Sequence, residues 1–144
     1  REPVSRLRSV AAVVANGWQG DAGFRMTIEG ARFASLGKVR RHATPPDLTG
    51  KRLHAVAGIG EPQRFFDHLA NLGLSFTAHA FPDHHPYAAG DLAFEGDAIL
   101  TTEKDAVKFG TLATLPVWVL PVTATVTPDL AQFILERIDG RPSA

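Results

Sequence analysis

His54-Ala55-Val56-Ala57-Gly58-Ile59-Gly60-Glu61-Pro62-Gln63-Arg64-Phe65-Phe66-Asp67-His68-Leu69-Ala70-Asn71-Leu72-Gly73 is the stretch from which the fold is read. The short apolar run His54–Gly58 predicts a buried strand. Phe65, Phe66, Leu69 and Leu72 then recur at helical spacing, which predicts a helix over Glu61–Leu72, with Gly73 as its stop. Downstream the same alternation repeats. Strands are expected over Phe76–Phe81, Ala98–Thr101 and Val117–Val122, and short helices over Tyr87–Leu92 and Glu103–Phe109. A last helix is expected to start with Thr127 as N-cap and Pro128 at the first position, burying Leu130, Phe133, Ile134 and Ile138. Strands alternating with helices give the α/β class, a mostly parallel sheet with flanking helices arranged as an α/β/α sandwich. The chain carries no internal repeat.

Upstream the pattern differs. Val10–Ala15 reads as a short buried strand closed by the turn signal Asn16-Gly17. Phe24, Met26 and Ile28 alternate with polar residues, and Ala31-Arg32-Phe33 resumes the alternation after Gly30, so two paired strands are expected. Lys38, Arg40, Arg41 and His42 form a small basic stretch. Thr44-Pro45-Pro46-Asp47 reads as a linker that continues neither a helix nor a central strand, and a boundary is placed there.

Composition sets the outer limits. The chain of 144 residues has 15 Lys plus Arg against 15 Asp plus Glu, a formal net charge of zero. Such a balance argues against a dedicated nucleic-acid binder, which needs a basic footprint. With 44% hydrophobic and 21% charged residues, the chain is of the ordinary globular kind. Zero cysteines exclude disulfides, thiolate metal sites and cysteine nucleophiles. Val10–Ala15 falls far short of the roughly 20 apolar residues a spanning helix needs, and no signal-peptide pattern is found. The single methionine is Met26 and the sequence opens on Arg1, so the expectation is a chain that starts after processing or inside a longer protein.

Three stretches carry chemistry. Gly58-Ile59-Gly60 with Pro62 and Arg64 lies between a strand and a helix, where backbone amides can meet an anion that Arg64 would clamp. Gln63 breaks the dinucleotide fingerprint, and a plain tight turn is the simpler alternative. Phe81-Pro82-Asp83-His84-His85-Pro86-Tyr87 follows the carboxyl end of a strand, the edge where open α/β sheets bind ligands. Asp83 beside two histidines offers a proton carrier that titrates near neutral pH, and a metal remains a second option. His42, His54, His68 and His79 are read as structural. Thr102-Glu103-Lys104-Asp105, continuing to Lys108, opens another helix, with Thr102 and Asp105 spaced as a capping box. A capped solvated helix and anion binding by Lys104 and Lys108 stand level there. No phosphate-binding G-x-x-x-x-G-K-[ST] and no G-x-S-x-G elbow is present.

Taken together and in this order, Ala57-Gly58-Ile59-Gly60 with Pro62, Arg64-Phe65-Phe66, Phe81-Pro82-Asp83-His84-His85, and Thr102-Glu103-Lys104-Asp105-Ala106-Val107-Lys108 resemble the C-terminal half of the tetraacyldisaccharide 4'-kinases, the lipid A 4'-kinases of Gram-negative bacteria. Arg1-Glu2-Pro3 resembles the segment before the final strand of that family's N-terminal domain. The resemblance implies a P-loop kinase of two α/β/α domains joined by a two-stranded linker. It further implies transfer of the γ-phosphoryl of ATP, with magnesium, to the 4'-hydroxyl of a tetraacylated glucosamine disaccharide 1-phosphate. The expected place of work is the cytoplasmic face of the inner membrane, with peripheral contact to the membrane surface and no nucleic acid.

On the resemblance, residues 1–21 are a remnant of the N-terminal kinase domain, 22–45 the two-stranded linker and 46–144 the C-terminal α/β domain. His84 matches the family histidine that assists the aspartate deprotonating the 4'-hydroxyl, and Asp83 would orient its ring. Arg1 and Glu2 match an Arg-Glu pair lining the cleft near substrate or magnesium. Arg64, Lys104 and Lys108 match motif positions and stand as anion-binding candidates. The family's phosphate-cradling loop, magnesium-binding acids and aspartate base precede the position of Arg1, so this chain alone is expected to bind ATP-magnesium weakly or not at all and to be inactive by itself. The alternative is a non-catalytic α/β module that binds an anionic partner or serves as structure.

Overall fold

The computed structural model describes residues 3–17 and 23–140. The chain divides into two compact units, Gly30–Pro121 and the pair of segments Arg1–Glu29 with Val122–Ala144.

The larger unit is built on a six-stranded sheet. Its strands are β3 (Phe33–Ser35), β4 (His42–Ala43), β5 (Leu53–Ala57), β6 (Phe76–Ala80), β7 (Ala98–Thr102) and β8 (Val117–Leu120), in the order β4-β3-β8-β7-β5-β6. β8, β7, β5 and β6 run parallel, with Ala55 opposite Ala78 on one side and Leu100 on the other. β3 joins β8 antiparallel, and β4 joins β3 antiparallel. The central strands are apolar on both faces because both faces are covered, as parallel sheets require. Leu53, Ala55 and Ala57 of β5 with Ala98 and Leu100 of β7 point to one layer, together with Phe65, Phe66 and Leu69 of α2 (Pro62–Asn71). Val56 and Ile99, one residue out of phase, point to the other layer with Leu92, Tyr87 and Phe109, the last on α3 (Glu103–Phe109). This alternation makes the three-layer α/β/α arrangement. A ten-residue helix is marginal in water by itself. Burying Phe65, Phe66 and Leu69, at about 1.5–3 kcal/mol each, therefore decides that α2 forms.

The smaller unit holds β1 (Val14–Asn16), β2 (Phe24–Glu29), β9 (Thr123–Thr127) and α4 (Leu130–Ile138). β1 pairs with β2 parallel, and β9 with β2 antiparallel, Met26 lying opposite Val126. A stretch of 3-10 helix, Val4–Ser9, precedes β1.

Most expected elements are present, and the departures have physical reasons. The expected hairpin of Phe24–Glu29 with Ala31–Phe33 does not form, since β2 and β3 lie in different sheets. Burial separates them: Phe33 and Ala34 are both buried, which suits a strand inside a covered sheet, whereas along β2 only Phe24 is buried. The partner β2 takes is β9, whose Thr-Ala-Thr-Val-Thr alternation is not among the expected strands. Val122–Ala144 accordingly groups with the chain's first 29 residues, and the expected unbroken run 46–144 is interrupted. Thr44–Asp47, expected to bar a helix, opens the short helix α1 (Pro45–Leu48). Both prolines fall in its first turn, where no amide is needed. The Thr44 amide and hydroxyl both donate to the Asp47 carboxylate at 2.7 Å, which holds that carboxyl below the usual range. The N-cap of α4 is Asp129, accepting from the Gln132 amide at 2.9 Å, while Thr127 belongs to β9. Ile134 and Ile138 are exposed, against expectation, and Phe133 meets Phe24 edge-on at 5.1 Å.

Two of the histidines read as structural join neighbouring strands. His54 Nδ1 lies 3.0 Å from His79 Nε2, and Phe94 stacks on both rings. One ring donates and the other accepts across this contact. Burial first, and then His54, lowers the pKa of His79 below 6.5. The unfolded chain takes up a proton there before the folded chain does. Stability is therefore expected to hold above about pH 6.5 and to fall as the pH drops below it. Urea midpoints at pH 7.5 and 5.5 should show this drop, and His79→Phe should shrink it.

Candidate functional site

β5, β6 and β7 are parallel, so their carboxyl ends share one edge. From β5 the chain passes through α2 to β6 on one side and then returns to β7 on the other. The edge between β5 and β7 is the topological switch point, where open α/β sheets bind ligands. Gly58 follows β5 there, the Pro82–Tyr87 segment follows β6, and Thr102 turns β7 directly into α3.

A buried carboxylate ties this edge together. Asp105 is fully buried, and its Oδ2 accepts from the Gly58 amide and the Thr102 hydroxyl, both at 2.9 Å. Thr102 Oγ1 in turn accepts from the Asp105 amide at 3.2 Å, the expected cap. Lys108 Nζ lies 3.5 Å from Oδ1. A buried charge persists only when donors and an opposite charge answer it, and Asp105 has both. Tyr87 closes the cluster. Its ring meets Phe109 edge-on at 4.9 Å, and Lys108 Nζ sits 5.7 Å from the ring centroid. Its hydroxyl is buried without a hydrogen-bond partner among the described residues. Burial and then the nearby Asp105 charge push the phenol's pKa well up, so it stays protonated.

The histidine motif splits into two environments. Pro82 to His85 is a four-residue turn, closed by the His85 amide donating to the Pro82 carbonyl at 3.1 Å. His84 occupies its third position with φ +63°, the left-handed value that type II turns normally give to glycine. The His84 side chain is 77% exposed. His85 is half-buried instead, its Nε2 3.0 Å from Asp91 Oδ2 and its ring 4.7 Å from that of Phe81. Asp91, which also accepts from the Ala88 amide, is held below the usual carboxylate range by that bond first and by His85 second.

Asp83 does not hold the His84 ring in the way expected. His84 Nε2 lies 3.7 Å from Asp83 Oδ2, beyond a hydrogen bond. Oδ1 of Asp83 accepts instead from the His84 backbone amide at 3.0 Å and from Lys104 Nζ at 2.6 Å. A short side chain one residue upstream reaches the next amide more readily than the next ring. The Lys104 bond, foremost, lowers the Asp83 pKa. Gly60 borders this turn, the position of a Cβ there lying 3.9 Å from Asp83 Oδ2. The other anion-binding candidates are also matched to carboxylates: Arg64 to Glu61 at 2.5 Å and Lys108 to Asp105. Arg1 and Glu2 lie outside the described residues. Among the described residues no cluster of three or more His, Asp or Glu could hold a metal ion.

What Asp105 and Tyr87 do lay beyond the sequence reading. The Thr102–Asp105 spacing showed the cap, but the second partner, Gly58, is 47 residues away and no local pattern reveals it.

Fold and site define an α/β domain with an exposed imidazole, that of His84, at the carboxyl edge of its sheet. A family model for tetraacyldisaccharide-1-P 4'-kinase, LpxK, matches residues 1–139, and the chain belongs to that family. Among similar curated proteins, the tetraacyldisaccharide 4'-kinase of Neisseria gonorrhoeae (strain ATCC 700825 / FA 1090) is 47% identical across all of this chain and 44% of its own length. That of Azoarcus sp. (strain BH72) is 44% identical across all of this chain and 45% of its own. A crystal structure of LpxK from Aquifex aeolicus, described as an "apo" form in complex with ATP, superposes with a TM-score of 0.59 at 25% identity, over 96% of this chain and 45% of that one. The chain thus spans a little under half the length of the relatives it matches.

Gly58 admits no side chain. A Cβ there would stand 2.6 Å from the Tyr87 hydroxyl and 3.2 Å from both Asp105 Oδ1 and the Pro82 carbonyl. Gly58→Ala is expected to cost about 1–3 kcal/mol by overpacking. Tyr87→Phe, which deletes an unpartnered buried hydroxyl, is expected to be near neutral alone and to recover part of that loss in the double variant. Chemical denaturation of the three variants measures both effects.

Proposed function

We propose that these residues are the C-terminal half of a tetraacyldisaccharide 4'-kinase, a transferase of lipid A biosynthesis that moves the γ-phosphoryl of ATP to the 4'-hydroxyl of an acylated glucosamine disaccharide 1-phosphate. Family membership supports the reaction. The observation that carries the role of this half is His84: a non-glycine residue at a left-handed turn position, its ring turned to solvent at the ligand-binding edge. Such strain is kept where a side chain is needed, and imidazole is the side chain that exchanges protons near neutral pH.

Phosphoryl transfer asks the protein chiefly for positioning and charge stabilisation. The sequence has no G-x-x-x-x-G-K-[ST] phosphate loop. ATP and magnesium are therefore assigned to the part of the relatives' length that this chain does not match. This half is assigned to the acceptor: His84 takes or relays the proton leaving the 4'-hydroxyl, while Arg1 and Glu2 are proposed for substrate or magnesium on the family resemblance alone. Residues 1–21 are assigned to the nucleotide-binding domain, and Gly30–Pro121 forms the sheet that presents His84.

In an intact kinase carrying these residues, His84→Ala is expected to lower kcat by about 10²–10⁴-fold with ATP affinity nearly unchanged, the usual worth of general acid–base help. His85→Ala, which removes a packed ring bonded to Asp91, should lower the melting temperature more than kcat. Full kcat in His84→Ala overturns the assignment.

We also assign the membrane contact, at the cytoplasmic face of the inner membrane, to the β3–β4 hairpin. No helix among the described residues is long and apolar enough to cross a membrane. The hairpin loop exposes Leu36 and Val39 among Lys38, Arg40, Arg41 and His42. Each basic residue at an anionic surface contributes about 1 kcal/mol. Arg40→Glu with Arg41→Glu should therefore weaken co-sedimentation with phosphatidylglycerol vesicles at least 10-fold, and unchanged binding would remove the hairpin as anchor.

A further inference from the structure

We infer that Lys104 is a positioning residue for His84, acting through Asp83 to hold the His84 backbone in its left-handed turn conformation. The inference rests on the catalytic reading of His84 for its consequence in turnover, though not for the lock itself.

The turn is where the restraint is needed. A non-glycine residue at φ > 0 is uncommon, and histidine, though one of those that adopt it most readily, still takes that conformation less easily than glycine. Every other residue with φ in the left-handed range is a glycine among the described residues. Something must over-determine the conformation. The turn's own hydrogen bond, His85 amide to Pro82 carbonyl, is available to any sequence there. The Asp83 carboxylate adds a specific restraint, since its Oδ1 accepts the His84 amide proton. By itself this carboxylate is 43% exposed and free to rotate towards water. Lys104 stops the rotation. Its ammonium donates to the same Oδ1 at 2.6 Å and is based on α3, whose first turn is anchored to the sheet edge by the buried Asp105. The chain of restraint thus runs from the sheet edge through α3 and Lys104 to Asp83, and from Asp83 to the one backbone amide that must stay fixed. The lowered pKa of Asp83, caused chiefly by Lys104, keeps the carboxylate charged and accepting at neutral pH.

A Lys104 that merely solvated the start of α3 would make no difference to residue 84. The discriminating experiment is a double-mutant cycle in the intact kinase, combining Lys104→Ala with His84→Gly and reading the melting temperature of this domain. Glycine takes the left-handed conformation unaided. Lys104→Ala should therefore lower the melting temperature clearly in the parent and by less than half as much beside His84→Gly. Equal losses in both backgrounds overturn the lock. Turnover supplies the second readout. Lys104→Ala should lower kcat about 10-fold with KM for ATP unchanged, and Lys104→Arg, which still reaches a carboxylate, should restore most of it. Full kcat in Lys104→Ala where His84→Ala is impaired overturns the positioning role. If His84→Ala itself turns over normally, the catalytic reading fails, and the melting cycle alone then decides the lock.

Discussion

The hydrogen bond from the Gly58 amide to the buried Asp105 carboxylate is the constraint on which the carboxyl edge of the sheet depends. It joins the carboxyl end of β5 to the first turn of α3, two elements that follow different strands. The same carboxylate takes the Thr102 hydroxyl and lies near Lys108. Removing any donor would leave a buried charge short of a partner, a penalty of several kcal/mol, so the geometry of the cluster is held by its own energetics. Gly58 has to be glycine because Tyr87, Asp105 and the Pro82 carbonyl occupy the volume a side chain would need.

From this anchor the proposed function follows outward. α3 is fixed at its start, Lys104 projects from its first turn to Asp83, and Asp83 holds the amide of His84. The exposed imidazole is thereby displayed from rigid elements. His85 shows the contrast within one dipeptide. It is packed against Phe81 and bonded to Asp91, a pairing that suits a wall of the site better than a proton carrier.

Much of the larger unit was legible in the sequence. Strand and helix alternation from Leu53 to Leu120 is carried by local apolar periodicity, and the limits of α3 coincide with those expected because the Thr102–Asp105 cap is itself local. Pairing was not legible where it is non-local. β2 and β9 are almost a hundred residues apart, and alternation says that a strand has a covered face without saying which strand covers its edge. The site shows the same division. His84, Asp83 and Lys104 were found from their motifs, yet their arrangement differs from the expected ring-orienting carboxylate. Which atom of His84 meets Asp83 depends on backbone and side-chain torsions at the turn that no residue pattern encodes. Asp105 as anchor was hidden because its partner Gly58 is remote in sequence.

The central claim is that His84 carries a proton in the kinase reaction. The most direct test is imidazole rescue of His84→Ala in an intact kinase carrying these residues, with lipid product formation as the readout. The account predicts that turnover lost in the variant returns in proportion to added imidazole, while the parent enzyme does not respond. A folded His84→Ala variant whose turnover is undiminished, or is lost and indifferent to imidazole, would contradict it.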